Sequence, residues 1–170
     1  MNQKKEHRLI KWDYAWSGTY FITLNSRFQI HHFSQIQNSK IHLTEIGRIA
    51  DKEWLRTPFL REDMHIKLGT YCIMPNHIHL LITIGWNSYN SKHEENRAKV
   101  SSPIDSQYII PRKNVLSLIR GYKGAVTRQA RKINYRFAWQ PDFYDIILHD
   151  QQAIDNVERY IRNNPIKWNK

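Results

Sequence analysis

Two histidines separated by a single residue carry the clearest chemical signal in this sequence. His77 and His79 lie in an apolar segment, His77–Ile84, whose length and composition predict a β-strand. Because successive strand residues point to opposite faces, both imidazoles would project from the same face, about 7 Å apart. Two imidazoles so placed can share a divalent cation, with a third ligand from elsewhere in the chain. The same spacing also occurs in proteins that bind no metal, so spacing alone leaves both interpretations open.

A second candidate is Tyr160, in a segment where Ile154, Val157 and Ile161 follow helical spacing. Asn164 is four residues further on and would share a helix face with the tyrosine. A tyrosine hydroxyl can attack a phosphodiester and retain the 5′ phosphate as a phosphotyrosine. A nearby metal would stabilise the negative charge that develops on the phosphate. A tyrosine among apolar residues at this spacing is also compatible with ordinary core packing.

Apolar periodicity and turn signals predict the elements that must position these side chains. Strands are predicted at 19–24, 64–74, 77–84 and 143–148, and helices at 44–58, 113–133 and 150–164. Thr44 and Asp150 are the expected N-caps, and Pro165 ends the last helix. A hairpin is possible within 25–43. The order strand, helix, hairpin, helix, strand, helix predicts an α+β fold, an antiparallel sheet with helices packed on one face.

Length and composition predict one domain spanning residues 1–170. Hydrophobic residues make up 41% of the 170, which is sufficient for a packed core. The Ser-, Asn- and charge-rich stretch at about 85–111 is expected to be a flexible loop rather than a domain boundary. No apolar run approaches the length of a membrane helix, and residues 1–8 are charged and polar, so we expect a cytoplasmic protein. The single cysteine, Cys72, is expected to be a buried thiol.

The charge balance favours a polyanionic partner. Lys and Arg number 26 against 15 Asp and Glu, a formal net charge of +11, and each cation placed near a phosphate releases condensed counterions. The stretch 112–136 contains no acidic residue, and a solvated basic face is the alternative interpretation. The predicted DNA-binding residues within it are Arg112, Lys113, Arg120, Lys123, Arg128, Arg131 and Lys132.

Four segments taken together resemble the single-tyrosine HUH transposases, and most closely the REP-associated tyrosine transposases. Residues 74–80 read Met-Pro-Asn-His-Ile-His-Leu, like the family's histidine-hydrophobe-histidine strand. Residues 160–165 read Tyr-Ile-Arg-Asn-Asn-Pro, like its nucleophile helix. Residues 13–23 are similar to its first strand, and residues 139–145 to the segment before its last helix. The resemblance extends from about residue 12 to residue 168, except in the 85–111 loop.

The resemblance implies a ferredoxin-like sheet and a DNA nicking and joining enzyme. On this basis His77 and His79 are expected to bind Mg²⁺ or Mn²⁺, with Asn164 as an amide-bearing third ligand. Tyr160 is expected to be the nucleophile of an endonuclease and strand transferase that forms a 5′-phosphotyrosine. The implied substrate is single-stranded or hairpin DNA, and the implied state is a monomer or a homodimer.

The sequence departs from the family pattern at one place. Where relatives commonly read Tyr-Asp-His-Ile-Ile-Arg, residues 144–149 read Tyr-Asp-Ile-Ile-Leu-His. Ile146 and His149 therefore replace a histidine and an arginine, which leaves open any role of those positions in ordering the site or binding DNA.

Two other functions compete with strand transfer. A catalytically inactive single-stranded nucleic-acid-binding domain would keep the fold and the basic surface but form no covalent adduct. A zinc hydrolase using the two histidines is disfavoured, because no Asp or Glu lies within two residues of the pair and no His-Glu-X-X-His motif occurs.

Overall fold

The computed structural model describes residues 17–88, 90 and 113–168. The strands are β1 (Gly18–Asn25), β2 (Ser34–Gln37), β3 (Lys40–Leu43), β4 (Ile66–Ile73), β5 (His77–Ile84) and β6 (Tyr144–Leu148). The helices are α1 (Glu45–Leu55), α2 (Thr57–Leu60), α3 (Val115–Ile133) and α4 (Gln151–Asn163).

Four strands form one antiparallel sheet in the order β4-β5-β1-β6, while β2 and β3 form a separate hairpin. Omitting that hairpin and the short α2, the chain runs β1, α1, β4, β5, α3, β6, which is the β-α-β-β-α-β order of the ferredoxin-like fold. The predicted α+β class and antiparallel sheet are confirmed.

The two faces of this sheet are covered by different helices. Even-numbered residues of β1, including Tyr20 and Ile22, belong to the main core with the apolar stripes of α1 and α3. Phe21 of β1 and Leu81 of β5 point to the other face, where they belong to a second cluster with Ile161 of α4. The expectation that helices pack on one face is therefore wrong in one respect, because α4 covers the opposite face. With α1 and α3 filling the first face, the apolar residues of the second require a cover of their own.

The boundaries of α1 and α4 follow from local chemistry. The side chain of Thr44 accepts a hydrogen bond from the Gly47 N–H (3.0 Å), and that of Asp150 accepts one from the Ala153 N–H (2.8 Å), so both predicted N-caps are confirmed. A Cβ on Gly47 would overlap the carbonyl oxygen of Phe33, so this close approach requires glycine.

Most of the predicted 85–111 loop lies outside the described residues. In its described part, Asn87 and Asn90 are buried and exchange hydrogen bonds between backbone N–H groups and side-chain oxygens, at 2.8 and 3.2 Å. Among the described residues, no helix combines the length and apolar character needed to cross a bilayer.

Candidate active site

The two histidines of β5 face one another across a short gap. Their Nε2 atoms are 3.1 Å apart and their ring centroids 4.5 Å apart. Both lie on the sheet face that α4 covers, because the intervening Ile78 belongs to the main core on the other side. The prediction that both imidazoles project from one face is confirmed, and the rings converge more closely than strand spacing requires.

The other ring nitrogen of each histidine is held by a neighbouring side chain. Nδ1 of His77 lies 2.7 Å from Oδ1 of Asn76, and Nδ1 of His79 lies 2.9 Å from Oγ1 of Thr23. An amide oxygen can only accept, so His77 must donate its Nδ1–H to Asn76, and in the neutral ring its Nε2 keeps a lone pair. If the Thr23 hydroxyl likewise accepts from Nδ1–H of His79, the Nε2 lone pairs of the two histidines face each other. If Thr23 instead donates to Nδ1 of His79, the proton of that ring is on Nε2, which then donates to Nε2 of His77.

This donor set fits a divalent cation. Two nitrogen ligands, each about 2.1 Å from one ion and subtending a right angle, would lie about 3 Å apart. When Thr23 accepts from Nδ1 of His79, as Asn76 does from His77, both Nε2 lone pairs are available, an arrangement common around metal-binding histidines. Burial lowers the pKa of His77 to about 4. Burial, together with the neighbouring His77, lowers the pKa of His79 to about 3, so both rings are neutral near pH 7, as metal ligands must be.

Tyr160 reaches this pair from α4. Its hydroxyl oxygen lies 3.4 Å from Nε2 of His79, and the two ring centroids are 5.2 Å apart. The rings of Phe21 and Tyr160 pack in a T-shaped arrangement, with centroids 6.0 Å apart. The hydroxyl therefore lies beside the histidines, while 49% of the tyrosine as a whole is exposed, so that a ligand can approach the residue. Core packing, the alternative interpretation of this tyrosine, does not describe its position.

The third predicted ligand, Asn164, follows Tyr160 by one helical turn. It is the partly buried C-cap of α4, and its backbone N–H bonds to the Ile161 carbonyl at 3.3 Å. Its role as a ligand stays a prediction. Among the described residues, no group of three His, Cys, Asp or Glu side chains could hold a metal. A complete coordination sphere therefore needs other donors, such as an amide or a phosphate oxygen.

The basic helix α3 lies on the opposite side of the sheet from the histidines, since its apolar stripe packs in the main core. Arg112 falls outside the described residues. Lys113 forms an ion pair with Asp63, and Lys123 donates to the carbonyl oxygens of Gln140 (2.7 Å) and Pro141 (3.1 Å). The exposed basic side chains of α3 are Arg120, Arg128, Arg131 and Lys132. The predicted DNA-binding residues thus do not surround the candidate site, and their role stays a prediction.

Four contributors to the site had no role assigned from the sequence. Thr23 and Asn76 orient the imidazoles, Phe21 packs against Tyr160 and His79, and the ring of Trp168 lies 5.9 Å from that of His77. Asn76 could have been identified from the sequence, because it immediately precedes His77. The contributions of the other residues depend on strand pairing and on chain packing.

The departure at Ile146 falls on the face that carries the site. Ile146 pairs with Phe21 and Tyr144 pairs with Thr23, so both side chains lie on the face of the histidines. Both are partly open to solvent, with 39% of Ile146 and 42% of Tyr144 exposed. The departure from the resembled pattern therefore places an aliphatic side chain beside Phe21 on the face that carries the histidines. His149 is an exposed residue that follows β6.

Comparisons with known proteins agree with this geometry at the level of the fold. No family model matches the chain. A protein of Haemophilus influenzae, described only as uncharacterized, is 28% identical over 174 residues, covering 99% of this chain and 91% of that protein. The solved structure of a REP-associated tyrosine transposase bound to a REP hairpin matches with a TM-score of 0.57 and 17% identity, covering 88% of this chain and 67% of that one. The fold is therefore that of a REP-associated tyrosine transposase, as the sequence motifs indicated.

Proposed function

We propose that this chain is a metal-dependent nuclease and strand transferase that cleaves single-stranded DNA through a phosphotyrosine at Tyr160. One observation carries the proposal: the Nε2 atoms of His77 and His79 converge at 3.1 Å, and the Tyr160 hydroxyl lies 3.4 Å from one of them. A strand and a separate helix bring these three groups together, across 81 residues of sequence in the case of His79 and Tyr160.

The reaction that suits these groups is a transesterification. The oxygen of Tyr160 forms a bond to phosphorus and loses its proton to solvent, while the bond from phosphorus to the 3′ oxygen breaks and that oxygen takes up a proton. The 5′ phosphate stays on the tyrosine, so the bond energy is conserved for rejoining to a 3′ hydroxyl. The exposure of the tyrosine ring allows a strand to approach, and the packing of Phe21 against it restricts where the hydroxyl can lie.

His77 and His79 would hold the divalent ion, with Asn164 as the proposed third protein ligand and Mg²⁺ or Mn²⁺ as the proposed ion. Bound there, the ion would supply charge stabilisation for the phosphate oxygens. Thr23 and Asn76 hold the two rings in the orientation that this role requires.

Single-stranded or hairpin DNA is the proposed substrate. The net charge of +11 favours a polyanion, and the transposase of like fold was solved bound to a REP hairpin. Because the exposed arginines of α3 lie across the sheet from Tyr160, they would bind a different part of the DNA from the cleaved phosphate.

A denaturing gel with end-labelled hairpin DNA carrying single-stranded flanks tests the proposal. The wild-type chain should give a band of DNA covalently bound to protein with Mn²⁺ or Mg²⁺, and none with a chelator. A chain that binds the DNA tightly but forms no adduct with either ion would be a binding domain, and the proposal would be wrong. Adduct formation in the chelator would contradict the metal dependence alone.

A further inference from the structure

A cavity of about 340 Å³ adjoins the candidate site. The β2–β3 hairpin forms one side of it and the segment after α4 forms the other. Its lining residues are His31, Ser34, Gln35, Ile36, Thr44, Pro75 and Trp168. This volume lies near the lower end of the range for small-molecule pockets, roughly 300–1,000 Å³, and suits one ring system rather than a longer chain.

The cavity shares an aromatic wall with the histidine pair. The ring of Trp168 lies 5.8 Å from that of His31 and 5.9 Å from that of His77. Pro75, another lining residue, is two positions before His77 in the turn that leads into β5. A ligand in this cavity would therefore lie next to the residues that we propose to act on the phosphate.

Hydrogen bonds tie the hairpin to the strands that carry the site. The Phe33 N–H donates to the Pro75 carbonyl at 3.0 Å, and the Ser34 hydroxyl donates to the Ile73 carbonyl at 2.9 Å. The Thr44 hydroxyl donates to the His32 carbonyl at 2.6 Å. These hydrogen bonds hold the hairpin side of the cavity in place against the segment that leads into β5.

The lining matches the chemistry of an unpaired nucleobase. Trp168 offers an aromatic surface, and stacking on such surfaces is the usual way in which proteins bind bases of a single strand. The exposed Gln35 carries an amide that can both donate and accept hydrogen bonds at a base edge. The hydroxyls of Ser34 and Thr44 already donate to the backbone and the ring of His31 packs against Trp168, which leaves Gln35 as the side chain most able to discriminate between bases.

We propose that this cavity binds one unpaired nucleobase of the DNA strand, adjacent to the phosphate that Tyr160 attacks. The inference rests on the proposed function and deepens it, because a base held between Trp168 and Gln35 would select which phosphodiester reaches the histidine pair.

The test measures the affinity of short single-stranded homo-oligonucleotides of each base, with an abasic oligomer of equal length as the reference. The wild-type chain should bind the preferred base about tenfold more tightly than the abasic strand. Trp168→Leu should remove most of that ratio, and Trp168→Phe should keep most of it because the ring is retained. Gln35→Ala should reduce the differences among the four bases.

Gln37→Ala is the matched control, because Gln37 is exposed on the same hairpin but does not line the cavity. It should leave all affinities unchanged. The salt dependence should stay the same in every variant, since stacking neutralises no phosphate. The proposal would be overturned if Trp168→Leu kept the wild-type ratio of affinities for the base-containing and abasic strands. It would also be overturned if Trp168→Leu lost affinity for both kinds of strand by the same factor.

The ratio of affinities for base-containing and abasic strands is measured without cleavage. The proposal about the cavity and the proposed function can therefore be disproved separately. A wild-type chain that forms the covalent adduct, with a ratio that Trp168→Leu leaves unchanged, would overturn the cavity alone. A chain that shows the ratio but forms no adduct would overturn the proposed chemistry.

Discussion

The hydroxyl oxygen of Thr23 lies 2.9 Å from Nδ1 of His79, across the antiparallel pairing of β1 and β5. This contact determines which way the imidazole faces, and therefore whether its Nε2 points at that of His77. Residues that orient a metal-binding histidine typically contribute tenfold to a hundredfold to metal affinity or activity.

Thr23→Val is therefore expected to weaken Mn²⁺ binding and strand cleavage by about tenfold to a hundredfold, while leaving DNA affinity unchanged. The valine has nearly the same shape and suits a strand, so the fold should be kept. Calorimetric titration with Mn²⁺ measures the effect. Thr19→Val is the control, because Thr19 lies on the same strand but pairs with the hydroxyl of Thr83 instead, and it should have no effect on the metal.

Replacing a proposed ligand should have a larger effect. His77→Ala is expected to bring cleavage below detection, and excess Mn²⁺ should not restore it, because one remaining imidazole cannot define the site. The control His42→Ala changes an exposed histidine of β3 and should behave like the wild type. Recovery of His77→Ala at millimolar Mn²⁺ would argue that this imidazole is dispensable.

The buried histidines also predict a pH dependence of stability. In the folded chain, burial lowers the pKa of His77 to about 4 and contributes most to lowering that of His79 to about 3, whereas the unfolded value is 6.5. As the pH falls below 6.5, the unfolded chain binds protons that the folded chain does not, so the free energy of unfolding must decrease. We expect a loss of about 2 kcal/mol for each histidine between pH 7 and pH 5, or roughly 3–4 kcal/mol for the pair.

Urea unfolding in the presence of a chelator measures this loss. The double variant His77→Gln with His79→Gln should show a flatter dependence on pH over the same range. A double variant that loses as much stability as the wild-type chain would mean that other groups cause the effect.

The exposed arginines of α3 are predicted to bind phosphates. Arg128→Ala should lower single-strand affinity by a few fold and reduce the slope of log affinity against log salt by about one, without changing adduct formation at saturating DNA. Lys52→Ala, which removes an exposed cation from α1, is the control. If Arg128→Ala and Lys52→Ala lowered single-strand affinity equally, the effect would be one of net charge rather than of a binding surface on α3.

Features that depend on local periodicity were predictable from the sequence. The strand at 77–84, the caps Thr44 and Asp150, and the shared face of His77 and His79 all follow from patterns within a few residues. The helix predicted at 44–58 is divided instead, with α1 ending at Leu55 and α2 beginning at Thr57, because Pro58 is favourable only in the first turn of a helix.

Features that depend on tertiary pairing were not predictable. The contact of Thr23 with His79 requires the register of β1 against β5, which no single strand encodes. An apolar stripe on α4 shows that the helix is buried, but not that it covers the face opposite α1 and α3. For the same reason, the sequence indicated a basic surface without showing that it lies across the sheet from Tyr160.

The central claim is that Tyr160 is the nucleophile, and comparing two tyrosine variants tests it most directly. Tyr160→Phe and Tyr144→Phe each remove one hydroxyl from a partly exposed ring on the same side of the sheet. With labelled hairpin DNA and Mn²⁺, we predict that Tyr160→Phe binds the strand but yields no covalent adduct, whereas Tyr144→Phe yields an adduct like the wild type. An adduct in Tyr160→Phe, at any appreciable fraction of the wild-type amount, would contradict the account.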